Sequence, residues 1–323
     1  MDKQYYTNLI VSSSPHIVTE SDTTRLMGSV MVALFPAWLA SIYIFGYKAA
    51  VLAAICIIAS VGFEYFYNKI THKKQTIKDL SAALTGLLIA FNLPSNFPIW
   101  QAIIGCFFAI VVVKQLFGGL GRNFSNPAIT ARIFLFISFA SNMSTWPPTR
   151  LESTSDAVTG ATPLALLAEG SGEQVPDLMR MFLGFHGGST GEVCALALLM
   201  GGIYLMIRKV ISPIIPCAFI GTVFMFGFIA TGSLYAGVFH VLAGGVMLGA
   251  FFMATDYVTS PKLPLGQLLF GIGCGIVTMS IRLYGSYPEG VSFSILLMNL
   301  CVPLFNNLSY KFYLKEGGAR NGN

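Results

Sequence analysis

The stretch Leu26–Tyr67 reads LMGSVMVALFPAWLASIYIFGYKAAVLAAICIIASVGFEYFY. Leu26–Phe45 carries no charged side chain, and Ala49–Tyr67 carries one, Glu64. A hydrocarbon core about 30 Å thick takes about 20 apolar residues in helical form, because backbone amides inside it must bond to one another. The stretch therefore reads as two membrane helices joined by the turn Gly46–Lys48.

The same reading extends along the chain. Of its 323 residues 54% are hydrophobic and 10% charged, where a soluble domain carries about 25% charged residues. Three more spans of the first half are expected at Ile77–Leu93, Ile99–Phe117 and Pro127–Ser141. Five of the second half are expected at Gly191–Ile207, Ser212–Thr231, Leu234–Tyr257, Leu265–Leu283 and Val291–Tyr310. The expected organisation is a tail 1–25, a five-helix unit 26–141, a long polar segment 142–190, a second five-helix unit 191–310 and a tail 311–323. No separate soluble domain is left over, and the N-terminal residues lack the pattern of a cleavable signal peptide.

Lysine and arginine set the orientation. Of the 19 such residues, Lys48, Arg150, Arg180 and Arg282 fall on one side and Arg132 inside a span; the other fourteen, with both tails, fall on the opposite, cytoplasmic side. The long segment is then extracytoplasmic and acidic, with Glu152, Asp156, Glu169, Glu173, Asp177 and, at its edge, Glu192. Basic residues scattered through inter-helix loops give the net charge of +5 without a nucleic-acid partner; the partner they imply is the bilayer.

An internal echo links the halves. Ile104-Gly105-Cys106 precedes Leu116-Phe117-Gly118, and Ile272-Gly273-Cys274 precedes Leu283-Tyr284-Gly285 at nearly the same spacing. A proline-bearing break lies upstream of each, FNLPSNFP at Phe91–Pro98 and TDYVTSPKLP at Thr255–Pro264. Five spans, a long connection and five more put the halves in opposite orientations, the arrangement of inverted repeats with broken helices. The fold class expected is thus an all-α polytopic membrane protein of about ten helices in two five-helix inverted repeats.

No metal-spaced histidine cluster, nucleophile elbow or phosphate-loop pattern is present, so no catalytic residue and no metal site is expected. The six cysteines lack CxxC spacing and read as small buried hydrophobes; a cluster shared by Cys106 and Cys274 would have two thiolates where four are usual. Gly118–Ala128, GGLGRNFSNPA, reads as a cap and turn with Pro127 in the first turn of the next helix; its backbone donors and Arg122 can also meet a partner or cofactor.

Polar groups within spans carry weight because a central charge costs about 2.5–3.5 kcal/mol on insertion scales. Glu64, Arg132, His240 and Asp256 are the titratable candidates, with Asn92 and Asn299. Glu64 and Asp256 lie near span ends and can snorkel or pair with lysines. Arg132 lies deeper, so it needs an anion, a carbonyl cluster or a water-filled cavity. Pairing is the ordinary structural account; a place for Arg132, Asp256 and Glu64 on an ion or flavin path is the functional one.

The polar segment holds DAVTGATPLALL at Asp156–Leu167. This resembles the flavinylation motif of the RnfD and NqrB family, membrane subunits of the Rnf and sodium-pumping NADH:quinone oxidoreductase complexes. The resemblance extends to the ten spans, FNLP, SNPAITAR at Ser125–Arg132 and GSYPEGVSFSILLMN at Gly285–Asn299. It implies that Thr162 carries FMN through a phosphodiester, with Asp156, Thr159, Gly160 and Ala161 as recognition context. Position 157 is Ala where the pattern often has Gly. In the reaction implied, the Thr162 hydroxyl attacks the pyrophosphate of FAD, and AMP leaves. Gly160 and Ala161 permit close approach of a transferase, and Pro163 starts the helical run PLALL. The plain alternative is that Thr159 or Thr162 serves only as an N-cap.

The resemblance further implies electron transfer between ferredoxin and NAD coupled to ion movement, in a bacterial or archaeal cytoplasmic (inner) membrane. It implies other Rnf subunits of the C, G, E, A and B types as partners, a flavin transferase for maturation, and a second, noncovalent flavin such as riboflavin. An NqrB-like subunit of the quinone reductase is the near alternative, disfavoured by the short N-terminal extension. A small-solute channel or transporter of inverted-repeat type is the alternative from another class.

Overall fold

The computed structural model describes residues 22–147, 149–150, 162–169, 176–285 and 289–320. The described residues form helices and their connections. The first half comprises α1 (Thr23–Phe45), α2 (Tyr47–Ile70), α3 (Ser81–Phe91), α4 (Ile99–Gln115) and α5 (Pro127–Ser138). Three short helices follow, α6 (Ala140–Ser144), α7 (Pro163–Ala168) and α8 (Leu178–Leu183). The second half comprises α9 (Ala195–Ile207), α10 (Ile214–Thr231), α11 (Leu234–Leu242), α12 (Val246–Met253), α13 (Pro264–Tyr284) and α14 (Val291–Arg320).

Each of the ten apolar stretches read from the sequence contains a helix, but not all are long enough to cross a bilayer. Helices α1, α2, α10, α13 and the Val291–Leu314 part of α14 are long and apolar enough. The stretch expected as one span at Leu234–Tyr257 is two helices, α11 and α12, bent by 67° at residues 243–245. Helices α3, α4, α5 and α9 are shorter; the 11 residues of α3 rise only about 16 Å, half the hydrocarbon thickness. The proline-bearing stretch Phe91–Pro98 does interrupt the helix, since α3 ends at Phe91 and α4 begins at Ile99.

The surface is apolar where a soluble protein would be polar. Ile58, Ile137 and Ile229 are each more than 70% exposed, far beyond what water tolerates as a contiguous patch. With lipid outside, close packing rather than hydrophobic exclusion must hold the helices together, and small residues permit it. Gly271 and Gly275, one turn apart on α13, face α10: a Cβ at Gly271 would lie 2.7 Å from Ala218 Cβ, and one at Gly275 would lie 2.5 Å from Thr222 Cβ. The buried core is continuous from Leu34 of α1 through Ala131 of α5 to Ile295 of α14, so the two halves share one interior.

The end of the long connection is built into that interior. Thr190 and Gly191 donate their amides to the carbonyls of Leu93 and Phe91 at 3.0 Å each, and the Thr190 hydroxyl donates to Ala90 O at 2.5 Å. These bonds satisfy carbonyls that the end of α3 leaves without helical partners. Only glycine fits at 191, because any Cβ there would overlap the Phe91 ring.

Candidate functional site

Two groups of polar residues are assembled around the interrupted helices. The first surrounds the break between α11 and α12. Gly244 has φ +63°, and the carbonyls of His240 and Ala243 accept from Arg282 Nη1 and Nη2 at 2.5 and 2.8 Å. A side chain from the last turn of α13 thus caps the end of α11. On the other side of the break, a Cβ at Gly245 would lie 3.1 Å from Glu192 Oε2 and 3.8 Å from Arg132 Nη1. Arg132 forms an ion pair with Glu289 and donates to Ser292 Oγ at 2.7 Å. The anion that Arg132 requires is therefore Glu289, just ahead of α14.

Glu192 Oε1 accepts from Ser189 N at 3.0 Å, whereas Glu192 Oε2, His240 Nδ1 and Arg282 Nε have no hydrogen-bond partner among the described residues. Two arginines and two glutamates make the group neutral as a whole. Burial pushes the Glu289 carboxyl above the usual carboxylate range; Arg132 pulls it back, Glu192 pushes with the burial, and Arg282 pulls again.

Helix α7 rests against this break. Thr162 is its N-cap, with φ −72° and ψ 152°, and its hydroxyl oxygen accepts from Ala165 N at 3.2 Å. Pro163 occupies the first turn, where its missing N–H costs nothing. Leu164 packs with Met181, Phe239 and Ala243, and a Cβ at Gly244 would lie 3.0 Å from Leu164 Cδ1 and 3.2 Å from Arg282 Nη2. Thr162 itself is buried, 6% exposed. Asp156, Thr159, Gly160 and Ala161 lie outside the described residues.

The second group lies at the opposite end of α3. Glu64 and Lys114, both buried, form an ion pair of 2.8 Å between α2 and α4. Lys114 Nζ also donates to Ser81 Oγ at 2.7 Å, and Ser81 Oγ in turn donates to Asp79 Oδ1 at 2.6 Å. Glu64 Oε1 accepts from the Thr76 hydroxyl. Lys114, counted by sequence among cytoplasmic loop residues, is thus an interior charge. It gets there through a wide turn: Phe108–Gln115 is π-helical, with Leu116 N bonded five residues back to Val111 O at 3.0 Å. A second π turn, Gly249–Met253, ends α12.

Both wide turns border a cavity of about 70 Å³ that opens toward a broader cleft. Its lining pairs apolar Leu84, Leu88, Phe251 and Phe252 with polar Ser81, Thr85, Lys114, Asn123, Asn126, Thr255 and Asp256. Asn126 caps α5, accepting from Ala128 N at 3.0 Å and Ile129 N at 3.4 Å, and donates to Met253 O at 3.2 Å. The Asn299 amide, in the orientation that satisfies both neighbours, donates to Thr259 O at 3.0 Å and accepts from Asn126 N at 3.2 Å. Asp256 accepts from the Thr259 hydroxyl at 3.0 Å. The buried Asn123 Oδ1 has no partner among the described residues. Asn92 is spent on the end of α3, donating to Leu88 O at 2.6 Å.

The three sequence candidates are therefore divided: Arg132 belongs to the break, while Asp256 lines the cavity and Glu64 sits behind its wall. Sequence reasoning missed Lys114, Glu192, Arg282 and Glu289 as interior groups. Lys114 carried a signal, since it lies inside an apolar run. Among the described residues no three His, Cys, Asp or Glu side chains are placed to hold a metal ion, and Cys106 Sγ donates to the Cys56 carbonyl at 3.6 Å.

A helical membrane protein with interrupted spans, buried ion pairs and a polar-edged cavity is the class these features define. The chain belongs to the NQR2, RnfD, RnfE family, whose pattern it matches over residues 10–313. It is 48% identical over 304 residues to the RnfD subunit of the Na(+)-translocating ferredoxin:NAD(+) oxidoreductase complex of Acetobacterium woodii, covering 94% of each chain. It is 43% identical over 311 residues to the RnfD subunit of the proton-translocating ferredoxin:NAD(+) oxidoreductase complex of Clostridium ljungdahlii, covering 93% of this chain and 94% of the relative. With the corresponding subunit of the ion-translocating oxidoreductase complex of Shewanella amazonensis the identity is 37% over 339 residues, 94% of this chain and 96% of the relative.

Proposed function

We propose that this chain is the RnfD-type membrane subunit of an ion-translocating ferredoxin:NAD oxidoreductase, that Thr162 carries FMN, and that the cavity beside Asn123 and Asn126 takes a second, noncovalent flavin. The observation that carries the subunit assignment is the 48% identity to an RnfD subunit along 94% of both chains. Neither described group of residues has the makings of a ferredoxin or nucleotide site, so those sites belong to partner subunits of the complex. The bacterial or archaeal cytoplasmic membrane, with Thr162 on its outer side, is the location that follows.

The residues present fit both groups. The Thr162 oxygen accepts one hydrogen bond, and its own proton has no acceptor among the described residues, so it is available for loss in phosphodiester formation. Because Thr162 is buried, attachment requires α7 to lift from Met181 and Phe239 while a transferase acts. In the cavity, the apolar walls suit a flat ring, and the orphaned Asn123 Oδ1 suits a ring N–H; the enclosed 70 Å³ holds only the edge of such a ring, whose body would lie in the cleft. A bound flavin supplies one- and two-electron chemistry, which side chains lack.

Covalent attachment is tested by co-expression with a flavin transferase and in-gel fluorescence under ultraviolet light. The expected result is a fluorescent band lost in Thr162→Ala and kept in Thr159→Ala. A dark wild-type band would refute the FMN assignment and would return weight to the solute-transporter reading.

A further inference from the structure

The cavity has an asymmetric electrostatic wall. Lys114 lines it, while its counter-ion Glu64 is absent from the lining. Two of the three ammonium hydrogens are engaged, by Glu64 Oε2 at 2.8 Å and Ser81 Oγ at 2.7 Å. An ammonium group has three donors, so one remains for whatever occupies the cavity. The pair is therefore a fixed dipole whose positive end is the nearer one to an occupant.

We infer that Lys114 is the charged hydrogen-bond donor of this cavity and that it makes the cavity hold a flavin ring more tightly after reduction than before. The inference rests on the second-flavin reading above. Its physical basis is differential binding: a group shifts a redox equilibrium only by as much as its interaction with the two forms differs. Reduction adds electron density to the ring, so a nearby cation and N–H donor stabilise the reduced form more. The other charged and titratable groups around Lys114 are Glu64 on α2, Asp79 through Ser81, and Asp256 and Tyr257 across the cavity. Asp256 is the one cavity-lining carboxylate among the described residues and acts with the opposite sign. The size expected for an ion-pair dipole at hydrogen-bond range in a medium of intermediate dielectric is about tenfold in the ratio of the two affinities.

The test uses the full chain carrying Thr162→Ala, purified in detergent, so that no covalent flavin interferes, with riboflavin as the probe. Affinity is measured by fluorescence quenching for the oxidised form, and the preference for the reduced form from the midpoint potential of bound against free riboflavin. Replacing both members of the pair, Glu64→Gln with Lys114→Met, avoids an orphaned charge and keeps the shape of the site. It is expected to cut the preference for the reduced form about tenfold, while Asp256→Asn raises it. If the double variant retains the preference of its parent, Lys114 has no such role. If the parent binds no riboflavin at all, the second-flavin reading fails first and carries this inference with it. Loss of binding only in the double variant also overturns it, since the oxidised ring is predicted to depend little on the charge.

Discussion

Lys114→Met should destabilise the protein far more than the simultaneous replacement of Lys114 and Glu64. The ion pair spans α2 and α4 at 2.8 Å with side chains 2% and 1% exposed, so neither charge has water to fall back on. In Lys114→Met the hydroxyl of Ser81 keeps its bond to Asp79, and Glu64 Oε1 keeps the Thr76 hydroxyl. Glu64 Oε2 is left without its donor. Breaking one side of a buried pair costs about 3–5 kcal/mol, whereas removing both charges is often close to neutral. The double variant, Glu64→Gln with Lys114→Met, should therefore recover most of the loss, giving a coupling of roughly 2–4 kcal/mol in a double-mutant cycle. Thermal unfolding in detergent, followed by tryptophan fluorescence, measures the ranking. If the single and double variants melt together, Lys114 and Glu64 do not form an interior ion pair and the cost assigned to their burial is wrong.

Three further outcomes follow from the packing. Gly191→Ala places a methyl group in the Phe91 ring and should cost about 1–3 kcal/mol by overpacking, with partial rescue by Phe91→Leu in the same melting assay. Arg132→Gln leaves Glu289 without its ion pair and should be more damaging than Arg132→Gln combined with Glu289→Gln; equal melting temperatures would contradict the pairing. Thr162→Ser retains both the hydroxyl and the cap to Ala165, so the fluorescent band should persist, while Thr162→Ala should also lose about 1 kcal/mol of capping, read as faster proteolysis near α7.

Local chemistry was the legible part of this sequence. Asn126-Pro127 and Thr162-Pro163 each announce a helix start, and both are helix starts with the expected side-chain caps. Composition and periodicity located the apolar stretches because they depend on side chains alone. They did not reveal that α3 stops at Phe91 or that α11 and α12 part at 243–245, because hydropathy averages over a window and is blind to where backbone bonds are exchanged for other partners. The candidate site divides in the same way. That Arg132 needs an anion follows from the cost of burying it, but the identity of that anion, 157 residues away, is a tertiary fact. Lys114 was misread for a subtler reason: a lysine near the end of an apolar run snorkels as easily as it pairs, and only the wide turn at Phe108–Gln115 decides between them.

That wide turn also makes helix α4 a register device. A π turn holds one residue more than the α-helical geometry around it, so it behaves as an insertion absorbed without breaking the helix. Deleting a single residue between Phe108 and Lys114 would let the turn relax to α-helical winding while the chain beyond stayed in step. Deleting one from the regular stretch Ile99–Phe107 would instead rotate the flanking part by about 100° and carry Cys106 out of line with Cys56. The chain should thus tolerate shortening best where its geometry is least regular, a scar of lengthening kept because it holds a lysine in the interior.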